Sequence, residues 1–150
     1  MIKIINHTSY EMAKKIIEVQ RPSYKIEAEI IDFEGIPALN ETEKEIMKSK
    51  EAFIGYYVEE KLVAFISYEQ NKNEIDICKL VVHPASFRRG IAKKLLQFVL
   101  NEKKKEQKVV VSTGSKNIPA LALYKSFGFS EVQKIEVAPN FFITQLHKEC

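Results

Sequence analysis

The stretch VVHPASFRRGIAKKLLQFVL, residues 81 to 100, constrains this chain most: an apolar strand-like run passes through one glycine into an apolar-striped helix. Gly90 opens that helix, and Ile91, Leu95, Leu96, Phe98 and Val99 recur at the spacing of a single core-facing side. A helix that starts directly after a strand and loop leaves its first backbone N–H groups without intrahelical partners, and such groups attract anions. Glycine lets a ligand approach the backbone closely, Arg88 and Arg89 add fixed positive charge, and Lys93 lies one turn in. A phosphate or pyrophosphate is the fitting guest. The plainer alternative is a turn made by Gly90 with two solvated arginines beside it. Neither a P-loop nor a dinucleotide fingerprint is present, since the second P-loop glycine with its Lys-Ser/Thr pair and the glycine triad are both missing.

Around this junction the chain alternates strand and helix patterns. IKII predicts a short first strand, and Tyr10 to Gln20 carries Met12, Ile16, Ile17 and Val19 on one helical face before Pro22, which is expected to interrupt the helix. SYKIEAEIIDF then reads as a second helix, EGIPALNE as a structured loop and rim of a substrate site, and ETEKEIMKSK as a short helix. Two β-rich runs in AFIGYYVEEKLVAFISYEQ flank the polar turn Glu59-Glu60-Lys61 and predict a hairpin. EIDICKLVVHP gives another strand, ended by Pro84. There follow a helix over 89 to 104, the strand KVVVST, a helix over 118 to 127 and a last strand near FFITQLH.

Composition narrows the class. With 150 residues and 45% hydrophobic content, one domain spanning residues 1–150 can hold a real core and leaves little room for a second. The excess of 23 basic over 20 acidic residues is too small to argue for a nucleic-acid or membrane partner. No secretory h-region and no run of ~18 apolar residues occurs, so the expected compartment is the cytosol. The lysines of KKKEQK, residues 103 to 108, complement a helix end as well as they would a nucleic acid. Cys78, inside a predicted strand, reads as a packed core residue, and neither it nor Cys150 has the spacing of a disulfide framework. His7, His83 and His147 lack ligand spacing, so no metal is expected. Charge is uneven: residues 21 to 46 hold seven acidic and three basic side chains, and residues 79 to 108 hold nine basic and two acidic. The basic half suits phosphates, and the acidic half, with Glu27, Glu34 and Glu41, suits either the ammonium of a cationic amine or simply a solvated helix face.

A second block, VSTGSKNIPALALYKSFGF, follows at a telling distance. Asn117 precedes Pro119 at a helix start, Ala120 and Tyr124 lie four apart on one helical face, and Gly128 ends the helix before Phe129. Together the two blocks resemble the GCN5-related N-acetyltransferase (GNAT) superfamily. Its acetyl-CoA loop, Gln/Arg-x-x-Gly-x-Gly/Ala, is similar to FRRGIA, Phe87 to Ala92, and its later Asn, Tyr and Gly-Phe pattern is similar to Asn117, Tyr124 and Gly128-Phe129. Phe87 departs from the pattern, standing where the family carries Gln or Arg.

The resemblance implies an α+β fold: a mixed, mostly antiparallel sheet, flanked by helices and splayed at the acetyl-CoA site between the strand ending at Val82 and the strand at Val109 to Thr113. It further implies that the backbone of Leu80, Val81 and Val82 pairs with the pantetheine amides. The turn Arg88, Arg89, Gly90, Ile91, Ala92 and Lys93 would hold the pyrophosphate, with Asn117 and Tyr124 completing the cofactor site. The implied activity is direct transfer of an acetyl group from acetyl-CoA to a small-molecule or peptide amine, which needs a neutral amine, a donor to the oxyanion and a proton for the departing thiolate. Tyr124 resembles the family tyrosine that faces the sulfur. Asp76, with Glu74 two residues earlier on the same strand face, stands where several members carry a catalytic carboxylate, and others use a water chain. A non-catalytic CoA-binding protein is the competing reading, and a homodimer is within the family's repertoire.

Overall fold

The computed structural model describes residues 1–149. Cys150 lies outside the described residues. The order is β1 (Ile2–Ile5), α1 (Tyr10–Ile31), a 3-10 turn (Pro37–Asn40), α2 (Glu43–Lys48), β2 (Ala52–Val58), β3 (Lys61–Gln70), β4 (Glu74–Val82), α3 (Ile91–Glu102), β5 (Lys108–Gly114), α4 (Ile118–Ser126), β6 (Ser130–Ala138) and β7 (Phe141–Lys148). Seven strands form one sheet in the order β1-β2-β3-β4-β5-β7-β6, in which only the β4–β5 pair is parallel. The expected mixed, mostly antiparallel sheet is therefore observed.

Helices cover both faces. On one side, Ile91, Leu95, Leu96 and Val99 of α3 join Leu121 and Tyr124 of α4 over Ile66, Ile77 and Val111 of the sheet. On the other, Ala13, Ile16 and Ile17 of α1 and Ile46 of α2 pack on Phe53, Phe65 and Val81. The apolar stripes that identify the helices in the sequence are thus the faces they bury, and each fully buried aliphatic contributes ~1.5–3 kcal/mol.

Pro22 does not interrupt α1, which runs through it for 22 residues, capped at its start by the Ser9 hydroxyl and at its end by Asp32 in the left-handed conformation. A proline inside a helix costs ~3 kcal/mol. Ile16, Ile17 and Val19 before it and Ala28 and Ile31 after it are all buried, and burial of both halves outweighs the lost backbone bond. The hairpin turn has two residues, Glu59 and Glu60, both at positive φ, with Val58 and Lys61 paired across it. That geometry matches the twist of the strands, although asparagine and glycine adopt it more readily. The sequence reading lacked β6. Every residue from Ser130 to Val137 is exposed at the sheet edge, so no alternation of buried and exposed positions marks it.

Two features of β4 prepare the site. Its parallel pairing with β5 runs only from Glu74–Lys108 to Ile77–Val111, although β4 continues to Val82 and β5 to Gly114. Beyond Ile77 the strands part, and this is the expected splay. A bulge also interrupts the β3–β4 register, where Ser67 pairs with Lys79 but Tyr68 with Ile77, so that Cys78 is the extra residue. The bulge shifts the alternation by one. Ile75 and Ile77 join the α3 side, while Lys79 and Val81 turn to the α1 side.

Candidate active site

A cavity of about 720 Å³ opens in the splay, with Ile77 to Leu80 of β4 on one wall and Val111 to Gly114 of β5 on the other. In a continuous sheet, the hydrogen-bonded ladder would separate the two faces. Here the missing ladder lets Tyr124, from the α3–α4 side, share one space with Tyr24 and Glu27 of α1.

The turn expected to hold the pyrophosphate lies at the end of β4. The His83 ring nitrogen accepts from the Ala85 N–H at 3.0 Å and caps the turn Pro84–Ser86, a structural role. Arg88 and Gly90 both take positive φ, 64° and 73°. For Gly90 this is easy; for Arg88 it stores strain of ~1 kcal/mol or more, a cost typical of ligand-binding turns. A side chain at Gly90 would meet nothing within 4 Å, so its surroundings are open to an approaching ligand. The first α3 bond joins the Lys94 N–H to the Gly90 carbonyl at 3.2 Å, leaving the amides of Ile91, Ala92 and Lys93 without an acceptor inside the helix. Arg88, Arg89 and Lys93 are exposed around them. On β4 the His83 N–H bonds back to Val63 on the β3 side, at 2.8 Å. Strand alternation therefore sends the amides of Leu80 and Val82 to the opposite edge, into the splay, while Val81 faces β3. Of these three residues, Leu80 and Val82 are the ones with backbone free to pair there.

Tyr124 is buried, stands edge-to-face against Phe129 at 5.5 Å, and lines the cavity. Burial, with a smaller push from the charge of Glu27, raises its hydroxyl well above the ordinary tyrosine value, so it keeps its proton. Asn117, also buried, caps α4 by accepting from the Ala120 N–H at 3.2 Å and donates its other end to Glu27 Oε1 at 3.3 Å. One residue thus orients both the helix carrying Tyr124 and the carboxylate opposite.

The structure does not bring Asp76 and Glu74 into this space. They lie on β4 before the splay and line a separate groove with Lys50, Tyr68 and Glu69, and Glu74 faces Lys108 at 3.9 Å. Desolvation and the negative charges of Glu74, Glu69 and Glu51 raise the Asp76 carboxyl. The carboxylates that line the cavity are Glu27, Glu41, Glu45 and Glu51. Glu34 is not among them. Cys78 does not pack in the core as expected: as the bulge residue it is exposed and lines the cavity. Burial and the nearby charges of Glu51 and Asp76 push its thiol up to about 12, far from a reactive thiolate.

Sequence reasoning passed over Lys79, Tyr24 and Phe141. Lys79 is buried, pairs with Glu41, and contacts Gln20 Oε1 at 3.3 Å, while Gln20 reaches the Ala38 carbonyl at 3.1 Å. This network ties the turn Pro37–Asn40 to the sheet. Only the bulge turns Lys79 inward, and nothing in the local sequence marks a bulge. Phe141 stacks on Phe33 at 3.9 Å and 8°, closing one end of the cavity with an apolar wall that includes Ile36 and Ile143. Gly35 permits that approach, since a Cβ there would collide with the Phe33 ring. Among the described residues no group of three or more His, Cys, Asp or Glu side chains is placed to hold a metal ion, and no helix is long and apolar enough to cross a membrane.

Comparison with known proteins agrees with this architecture. The chain is 42% identical over 147 residues to UPF0157 protein YqkA of Bacillus subtilis (strain 168), covering 98% of this chain and 43% of that protein. It thus spans less than half the length of that curated relative. Two solved structures share the fold at low identity. The ribosomal-protein-S18-alanine N-acetyltransferase of Escherichia coli superposes with a TM-score of 0.79 at 16% identity, over 99% of this chain and 92% of that one. The PaiA N-acetyltransferase of Thermoplasma acidophilum, solved in complex with coenzyme A, gives 0.76 at 19% identity, over 100% and 99%. The model of the Acetyltransferase (GNAT) family matches residues 13–129, which take in the splay, the Gly90 turn and the Asn117–Tyr124 helix. The chain belongs to the GNAT acetyltransferase family.

Proposed function

We propose that residues 1–150 form one acetyltransferase unit that moves an acetyl group from acetyl-CoA directly to a primary amine. The observation that carries this reading is the splay itself: an interrupted strand pair, a glycine-opened helix start at one end and a buried, protonated tyrosine inside. In this reading Leu80 and Val82 offer backbone groups to the pantetheine, and the amides of Ile91 to Lys93, with Arg88 and Arg89 around them, hold the pyrophosphate. Acetyl-CoA supplies an activated thioester carbonyl. Tyr124 holds the proton that the departing sulfur requires, and Asn117 fixes the helix that presents it.

Two features favour direct transfer to a cationic acceptor. The Cys78 thiol, held neutral, is a poor nucleophile for a covalent acetyl-enzyme. The carboxylates of Glu27, Glu41, Glu45 and Glu51 give the cavity a negative wall, and Phe33, Ile36 and Phe141 give it an apolar one. An amine with a charged head and an apolar neighbouring group complements both. Thiol release from acetyl-CoA in the presence of 1,4-diaminobutane, 2-phenylethylamine and a peptide with a free N-terminus tests the reading. Amine-dependent release is expected. Tight CoA binding without release from any acceptor would overturn it in favour of a CoA-binding protein.

A further inference from the structure

We infer that Glu27 is the group that takes the proton from the acceptor's ammonium, in place of the carboxylates on β4. This inference rests on the acetyltransferase reading above and assigns one role within it. Four carboxylates line the cavity, and three are engaged elsewhere. Glu41 is paired with Lys79 and accepts from Gln20 Nε2 at 2.9 Å. Glu45 closes the N-terminal box of α2, accepting from the Thr42 N–H and hydroxyl at 3.0 Å each. Glu51 accepts from the Ser67 hydroxyl at 2.6 Å. Neither Glu51 nor Glu27 has a cation or helix cap to serve, but Glu51 is held by the short bond from Ser67, whereas among the described residues Glu27 has a single hydrogen bond, the long one from Asn117 Nδ2 at 3.3 Å. It also faces Tyr124, the group assigned to the other end of the reaction, across the same space.

The surroundings favour proton exchange there. Tyr24 on its own helix and Tyr124 on α4 are both neutral, and the Lys79 ammonium on β4 is bound to Glu41. Desolvation therefore dominates at Glu27 and raises its proton affinity above that of an ordinary glutamate. A carboxylate so placed accepts a proton from an ammonium more readily than a solvated one would. The balance is simple. The ammonium proton moves to the Glu27 carboxylate, the freed pair on nitrogen forms the C–N bond to the acetyl carbon, and the C–S bond breaks with its pair on sulfur. Tyr124 protonates that sulfur and is restored by the second proton that nitrogen sheds. Glu27 then returns its proton to solvent.

The test compares wild type, Glu27→Gln, Glu27→Asp and Asp76→Asn, using acetyl-CoA and whichever of the three amines above is turned over fastest. Glu27→Gln, which keeps the shape and the Asn117 contact, is expected to lower kcat by ~10²–10⁴-fold. Its acid limb should vanish, with CoA affinity by calorimetry unchanged. Glu27→Asp should recover part of the rate, and Asp76→Asn should keep both rate and limb. A second readout needs no turnover. Because the folded protein holds the Glu27 proton more tightly than the unfolded chain, its charge costs stability at neutral pH; that cost fades as pH falls through the raised value and is gone below the ordinary glutamate range. Glu27→Gln should therefore raise Tm at neutral pH and match wild type in acid. Turnover with an unchanged pH profile in Glu27→Gln, or a Tm unchanged at neutral pH, would overturn the role of Glu27 alone. No transfer to any of the three amines by wild type would overturn the acetyltransferase reading with it.

Discussion

The proposed nucleotide side is one contiguous stretch, Leu80 to Lys93, that enters the cavity only at Leu80, whereas the proposed amine side gathers cavity residues from distant segments: Tyr24 and Glu27 from α1, Phe33, Ile36 and Glu41 from the following loop, Glu51, and Phe141 at the start of β7. The first is a backbone device. A strand edge left unpaired and a helix start opened by glycine offer amides whose placement depends little on side-chain identity. The second is a side-chain device whose members come within reach only once α1 lies across the sheet. Changes on the nucleotide side should accordingly be read in cofactor binding, and changes on the amine side in rate, acceptor KM or stability.

Tyr124→Phe is the most severe way to probe the seam between the two sides. It keeps the ring, the edge contact with Phe129 and the packing, and removes only the hydroxyl that donates the proton. A loss of ~10²–10⁴ in kcat is expected with acetyl-CoA affinity retained, and a thioester with a better leaving thiol should restore part of it. Normal kcat with a lowered Tm would make Tyr124 a core residue only. Gly90→Val acts on the nucleotide side alone. A β-branched residue is strained at a φ of 73° and intrudes on the open approach to the helix start, so calorimetry should record at least ~10-fold weaker CoA binding with the fold intact. Arg88→Ala should weaken binding less, since it leaves the amides in place. The smallest effect belongs to Lys79→Met. It strips Glu41 of its partner, and a loss of ~1–3 kcal/mol is expected, below the range for a fully buried pair because Glu41 retains some contact with solvent. Thermal unfolding reads that loss, while CoA affinity should stay unchanged because the altered anchor belongs to the amine side.

The same division explains what was legible in the sequence. The Gly90 junction could be read because every part of it is local: strand, glycine, arginines and helix follow one another within twenty residues. Asn117 and Tyr124 could be read because a cap and a helical repeat fix their relation. The bulge at Cys78 could not, since bulges follow from how two strands are paired rather than from any residue type. It put Cys78 into the cavity and turned Lys79 inward. That Asp76 falls outside the cavity was hidden for a related reason: counting along the strand gives a face but not where the parallel ladder ends, and Asp76 lies before that point. Continuity of α1 through Pro22 escaped too, because the burial that holds both halves against the sheet is a tertiary effect. Of the three glutamates that charge counting singled out, Glu27 and Glu41 line the cavity and Glu34 does not. The difference between the two that do, one bound to a lysine and one without a cation, needed the folded chain.

Backbone hydrogen exchange with and without coenzyme A tests the central claim most directly, because the proposed nucleotide side is made of amides and exchange reads amides one by one. The account predicts that the ligand slows exchange at Ile91, Ala92 and Lys93 and at Leu80 and Val82, and leaves Val81, already turned toward β3, and the edge strand β6 unchanged. Protection confined to other segments, or saturating coenzyme A with no protection at these five positions, would contradict it.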